Sequence, residues 1–532
     1  MSGRLWRRAG LALAALGLIA AAPAPRPAAL TVPPPVTPAD AMVVTHGRVM
    51  IGAKPLAYTV HTGLLPIYDN DTGQLAARMF VIAYTADRAP GAPPRPLTFI
   101  WNGGPGSSSS QAHLMGFGPK GFAMPDTYPE WKAPPARIAD RPETWLTASD
   151  LVFVDPVGTG YSRAVSEAWR DRLYTQHGDG EAVAEMIRVY RTRFDAFDQP
   201  LFIAGESYGT TRAMEVAADL ARRHTPLSGV ILISGGYDAG QKVSRTLSEA
   251  LEVSLYTATA WRHHRLPADL QALPQDQAVA RATAWARSDY APALARVGEL
   301  SAEERARIAA ALARYSGVDT KLVDPKTLRL SKDAVMDNML ADRGLELGRY
   351  DSRLATPRRD PGKVWGPRED PSLLPMIDLM EGTSPALIRY LRDTLGYKSD
   401  LLYRGPWGGS FHPDPFKPTG PVLKDDWMAF MWDHGAAGRP AQRGEAEGPP
   451  EPPPLQAAMT TEPKLLVWSV EGLYDSSCAA REEAIAETPQ PLRARVRASC
   501  YPAGHMVYTD KAVRLQMQKD FTAFVRDAAA AR

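Results

Sequence analysis

"LFIAGESYGT", residues 201 to 210, is the stretch on which the fold turns. Four apolar residues run into Gly-Glu-Ser-Tyr-Gly, and polar, helix-compatible residues follow. A serine in an ordinary turn needs no glycine on either side. Gly205-x-Ser207-x-Gly209, placed between a strand and a helix, is the nucleophile-elbow pattern. Its tight turn forces the serine into strained backbone angles, and a Cβ on the flanking residues would clash. The hydroxyl then stands at the carboxyl edge of a sheet, beside a helix N-terminus that favours developing negative charge.

The same form recurs along the chain. "RMFVIAYTA" (78–86), "PLTFIWNGG" (96–104), "DLVFVDPVGTG" (150–160), "GVILISGG" (229–236) and "KLLVWSVEG" (464–472) are apolar runs ending in small or acidic residues. Near-continuous runs of this kind predict strands buried on both faces, as in a parallel sheet covered by helices. "GEAVAEMIRVYRTRF" (180–194) and "TTRAMEVAADLARRH" (210–224) supply helices between them, so the pattern is an α/β doubly wound sheet. From 240 to 460 the strand signals give way to amphipathic helical patterns such as "LSAEERARIAAALARYS" (300–316) and "SPALIRYLRDTLGY" (384–397). A stretch that long is no loop, and it predicts a helical insertion over the catalytic edge of the sheet. "RGEAEGPPEPPP" (443–454) reads as a flexible loop before strands resume. The expected organisation is a core of 45–239 and 461–532 around the 240–460 cap.

A serine nucleophile needs a base, and the base needs an orienting group. On this architecture they follow in the chain order Ser, acid, His. "LLVWSVEGLYDSSC" (465–478) puts Asp475 just past a strand, and "YPAGHMVYTD" (501–510) puts His505 in a loop before a terminal helix. Taken singly, Asp475 reads equally well as a turn aspartate and His505 as a surface histidine. Together, in the required order, they complete a triad with Ser207. Acyl transfer also needs backbone N–H groups aimed at the oxyanion, worth about 3 to 4 kcal/mol each. Tyr208, directly after the nucleophile, is one donor. "WNGGPGSSSS" (101–110) offers the other through Gly103 or Gly104, and it lacks the GK[ST] ending of a phosphate loop. This chemistry calls for no metal and no organic cofactor.

"NGGPGSSS", "DPVGTGYS", "GESYGT", "GLYD" and "AGHMVY" together resemble the serine carboxypeptidase family, in the form its bacterial members carry, with serine after "GGPG". The resemblance runs from about residue 45 to the C-terminus. It implies an α/β-hydrolase fold and release of C-terminal residues from peptides that carry a free C-terminal carboxylate. Matched by motif, it implies Ser207 as nucleophile, Asp475 as orienting acid, His505 as base, and Gly104 and Tyr208 as oxyanion donors. Asn102, Gly103 and Glu206 match the residues that hold the substrate's carboxylate. A glutamate in that role must be protonated to donate, so activity is expected to favour acidic pH. The sequence departs from the family at three places. The tryptophan expected two residues before Asn102 is Ile100, with Trp101 shifted by one; the second carboxylate-binding glutamate falls on Gly116; and a bridging cysteine is Ser107. The missing glutamate keeps open an esterase or acyltransferase using the same triad. A non-catalytic binding protein on the same fold is the more distant alternative.

Bulk properties agree with a globular hydrolase and exclude other classes. Sixty-one basic residues against 59 acidic ones leave a net charge of +2, no basis for binding nucleic acid. Arg4, Arg7 and Arg8 precede the apolar run "AGLALAALGLIAAA" (9–22), which reads as a secretory signal peptide spanning 1–29. A Pro-rich linker follows at 30–44, so a secreted or periplasmic location is expected, with no membrane contact beyond the signal. Cys478 and Cys500 are the two cysteines. They form either a bridge between the Asp475 and His505 loops or a pair of buried thiols. No metal-binding spacing is present, and "RHHR" around His263 reads as a solvated helix face.

Overall fold

The computed structural model describes residues 42–124, 126, 137–359, 370–373, 385–405 and 451–531. The signal peptide, most of the Pro-rich linker and most of the loop near residue 450 lie outside these residues. A single large sheet organises the chain. Its strands are β1 (Val43–Ile51), β2 (Lys54–Tyr68), β3 (Leu75–Ala86), β4 (Leu97–Trp101) and β5 (Asp150–Val154). β6 (Leu201–Glu206), β7 (Gly229–Ile233), β8 (Leu466–Gly472) and β9 (Val496–Tyr501) complete the main path. Their spatial order is β1-β2-β3-β5-β4-β6-β7-β8-β9, with a short strand at Arg163–Ala164 beside β3. From β5 to β9 all neighbours are parallel, while β1, β2 and β3 form an antiparallel edge. The exchange of β4 and β5 relative to chain order, with β6 next to β4, gives the α/β-hydrolase arrangement.

Every residue of β4, β5, β6 and β7 is buried, as apolar runs without alternation require. One face carries Leu97, Phe99, Trp101, Leu201 and Ile203 against α1 (Gln176–Arg193) and α2 (Tyr208–Arg222). The other carries Ile100, Phe202, Ala204 and Ile231 against a long C-terminal helix, Lys511–Ala530. The crossover helices therefore hold the sheet between two apolar layers, and the carboxyl ends of its strands are left to build a site.

Between β7 and β8, which pair directly, the chain makes its long excursion. Helices at Arg245–Leu251, Val253–Arg262, Gln275–Trp285 and Ala302–Ser316 enclose a cluster of their own around Leu255, Ile308, Leu312 and Met336. The later part behaves differently. Leu354, Leu387, Tyr390 and Leu391 join the core layer of the C-terminal helix, and the helix Pro454–Thr461 packs in the layer of α1 and α2. His263 is not a solvated position: its helix ends there and the ring pairs with the Ser352 carbonyl at 2.7 Å, half-buried against the returning chain.

Candidate active site

Ser207 follows β6 immediately and precedes α2, with φ 58° and ψ −129°. A non-glycine residue at positive φ is strained and persists only where its surroundings hold it. Here the Ser207 amide donates to the Ile233 carbonyl at 2.9 Å, and the Thr210 amide donates to the Ser207 carbonyl at 2.9 Å. A Cβ on Gly205 would lie 1.9 Å from the Gly209 carbonyl oxygen, so the turn closes only with glycine there. The elbow read from the sequence is present in full.

The loop after β4 is locked to this turn. Trp101 is buried, and its indole Nε1 donates to the Gly209 carbonyl at 2.8 Å. Arg212 on α2 donates to the Asn102 carbonyl at 2.8 Å and pairs with Asp179 of α1 at 2.7 Å. Both charged side chains are almost wholly buried, and the guanidinium lies over the Tyr208 ring at 5.3 Å. A Cβ on Gly103 would stand 2.5 Å from the Tyr208 amide nitrogen, so the glycine loop reaches the backbone of the nucleophile turn. Gly104, at φ +101°, then turns the chain, and the buried Ser107 amide donates back to the Gly103 carbonyl at 3.2 Å. Sequence reading missed Arg212 and Asp179; an arginine inside a helix leaves no signal of the carbonyl it serves.

Asp475 and His505 arrive from the far side of the sheet. The loop after β8 carries Asp475, and the loop after β9 carries His505, whose Nδ1 lies 2.7 Å from Asp475 Oδ2. Cys478 and Cys500 form a disulfide across a separation of 22 residues, so of the two readings left open the bridge is the one observed. It joins the helix that starts just past Asp475 to the strand that ends just before the His505 loop. The returning insertion supports both loops. The His505 amide donates to the Tyr350 carbonyl at 2.6 Å, and the Tyr350 ring meets the imidazole edge-on at 5.3 Å. Lys332 Nζ donates to the Asp475 carbonyl at 2.5 Å.

The imidazole's other nitrogen faces Glu206, with Nε2 3.6 Å from Oε1. Among the described residues Ser207 Oγ takes part in no hydrogen bond, although it adjoins Glu206 in the chain. Asn102 Nδ2 donates to Glu206 Oε2 at 2.9 Å, so the glycine loop, the glutamate and the histidine form one continuous polar row. Burial raises the Glu206 carboxyl, and the His505 charge and the Asn102 bond oppose this only in part. Burial works to lower the imidazole, but the charge and hydrogen bond of Asp475, with Glu206 added, outweigh it and raise the pKa to about 9. Among the described residues no group of three His, Cys, Asp or Glu could hold a metal ion, and no helix is long and apolar enough to cross a membrane.

A sheet of this order, with serine, histidine and two carboxylates gathered at the carboxyl ends of its strands, has the layout of an α/β-hydrolase. Residues 52–293 match the family described as serine carboxypeptidase. The matched span includes Ser207 and the glycine loop; Asp475 and His505 lie beyond it. Among curated relatives, the pheromone-processing carboxypeptidase KEX1 of Yarrowia lipolytica is 27% identical over 207 residues, 38% of this chain and 31% of that protein. The Tuber melanosporum protein of the same name is 28% identical over 170 residues, 30% of this chain and 25% of that one. The chain thus spans less than a third of the length of these relatives. They are fungal, and nothing in them carries the narrower bacterial resemblance. The crystal structure of a prohormone-processing carboxypeptidase from Saccharomyces cerevisiae is similar at a TM-score of 0.49 and 15% identity, covering 88% of this chain and 92% of that one.

Proposed function

We propose that the protein is an exported serine-type carboxypeptidase that releases C-terminal residues from peptides through an acyl-enzyme. The observation that carries the reading is the polar row from Asp475 through His505 to Glu206 and Asn102, at the elbow that holds Ser207. In this mechanism His505 Nε2 takes the proton of Ser207 Oγ as the oxygen attacks the scissile carbonyl. Asp475 holds Nδ1–H and stabilises the imidazolium. The Gly104 and Tyr208 amides receive the oxyanion. His505 then gives its proton to the departing amine, and water, deprotonated by the same nitrogen, hydrolyses the ester at Ser207.

Glu206 links specificity to protonation. As a carboxylate it repels the substrate's free carboxylate and helps to hold His505 charged. As a carboxylic acid it donates to the substrate and releases the imidazole to act as base. The productive state therefore has the proton on Glu206 and not on His505. Because burial raises the Glu206 carboxyl, its acid form extends above the ordinary carboxyl range and is lost as pH rises through the raised value.

Gly116 at the position of the second glutamate favours a second reading, an esterase or acyltransferase with the same triad. Hydrolysis of a blocked dipeptide, compared with that of its C-terminal amide, separates the two. A carboxypeptidase prefers the free acid at least about 100-fold, since the amide leaves buried donors and acceptors unpaired. Equal rates on both substrates would overturn the proposal. Export rests on the basic and apolar N-terminal segment, and fractionation with sequencing of the mature N-terminus tests it.

A further inference from the structure

Gly116 lies within a buried helical turn, Ala112–Phe117, and faces an aromatic ring. A Cβ at this position would stand 3.3 Å from Tyr508 Cγ, tighter than ordinary contact. Tyr508 belongs to the short turn Val507–Thr509, three residues past His505, and its side chain is fully buried with the ring edge-on to Phe117 at 5.2 Å. A phenylalanine would fill this space equally well. What distinguishes tyrosine is where its oxygen ends.

Tyr508 Oη accepts from Asn102 Nδ2 at 3.2 Å, and the same Nδ2 donates to Glu206 Oε2 at 2.9 Å. Asn102 Oδ1 accepts from the Ala112 amide at 2.9 Å, so the side-chain amide of Asn102 is spent in full. Among the described residues the O–H hydrogen of Tyr508 has no acceptor. A buried donor without an acceptor is costly unless a ligand supplies one. Burial, and the negative charge of Glu206, push the phenol well above its ordinary value, so it keeps its proton wherever the enzyme works.

We propose that Tyr508 is a specificity residue for the substrate's C-terminal carboxylate, its ring occupying the space left by Gly116 and its hydroxyl positioning Asn102 and donating to the carboxylate. The inference rests on the reading given under Proposed function. An entering carboxylate accepts from Tyr508 O–H, and from Glu206 once Glu206 is protonated. One of the two donors needs no acidic pH, so recognition weakens above the Glu206 transition and does not vanish there.

The test is Tyr508→Phe, which keeps the ring. With a blocked dipeptide bearing a free C-terminus, KM is expected to rise about 10- to 100-fold at unchanged kcat, as for loss of one hydrogen bond to a charged group. The rise is larger at about pH 7.5 than at about pH 4.5. Hydrolysis of the C-terminally amidated peptide and labelling by a fluorophosphonate, neither of which presents a carboxylate, stay within about two-fold. Gly116→Ala, which presses a methyl against the ring without removing the hydroxyl, gives a smaller rise confined to the free acid. An equal loss on acid, amide and fluorophosphonate would assign Tyr508 to holding the His505 loop and overturn the proposal, as would no loss at all. A wild-type enzyme with no preference for the free acid overturns the carboxypeptidase reading and this one together; a preference undiminished in Tyr508→Phe overturns this one alone.

Discussion

In the proposed mechanism Glu206 and His505 make opposite demands on pH, and substitution separates them. Ser207→Ala removes the proposed nucleophile while leaving the turn, so kcat is expected to fall about 10⁵- to 10⁶-fold and fluorophosphonate labelling to vanish. Glu206→Gln tests the contact between Glu206 Oε1 and His505 Nε2. Labelling requires the neutral imidazole and therefore increases with pH through the imidazole pKa, raised here to about 9. The Glu206 charge is one cause of that elevation, so removing it moves the labelling profile to lower pH, while KM for free-acid peptides increases and loses its acidic optimum. An unmoved profile would show that the carboxylate does not act on the histidine. The meeting of Asp475 with His505 was legible in the sequence because chain order constrains them once the elbow is recognised. Tyr508, Lys332 and Tyr350 were not, since their contribution is a single atom placed by distant backbone, and no periodicity encodes that.

Strands β3 to β8 were readable because burial on both faces writes an unbroken apolar run, and α1 and α2 because each has one apolar stripe. The hairpin of β1 and β2 escaped detection. β1 alternates between half-buried and exposed residues, and β2 carries Pro55, Gly63 and Pro66 within its span. β9, "VRASCY", is a largely polar edge strand with only Tyr501 buried. The elbow itself is unforgiving: Gly205→Ala would drive a methyl into the Gly209 carbonyl and is expected to destabilise by about 3 kcal/mol and abolish labelling. The cystine makes a different prediction. Replacing Cys478 and Cys500 by serine frees a loop of 22 residues, and the chain-entropy model gives a loss of about 3 kcal/mol, read as a lower denaturation midpoint.

The helical excursion was legible as an insertion, but not its division into a self-contained cluster and a segment that returns to the core. That division depends on contacts made across hundreds of residues. Its key is Arg353, which pairs with Asp351 at 2.7 Å and with Asp510 at 2.8 Å, and donates to the Pro502 carbonyl at 3.2 Å. All three charged side chains are largely shielded. Arg353→Leu would leave the buried Asp351 carboxylate without this counter-charge, at a cost of about 3 to 5 kcal/mol near neutral pH. The penalty shrinks on acidification as the Asp351 carboxyl, raised by burial, takes up its proton. Unfolding at two pH values checks the sign.

A segment that departs and rejoins through two adjacent strands can be exchanged during evolution without cutting a ladder of the sheet. Here, however, the amide of the histidine rests on a carbonyl that the segment itself supplies, from Tyr350. Any transplanted lid must therefore bring its own acceptor to that spot, and chimaeras that fail to do so should fold yet lose turnover on every substrate alike.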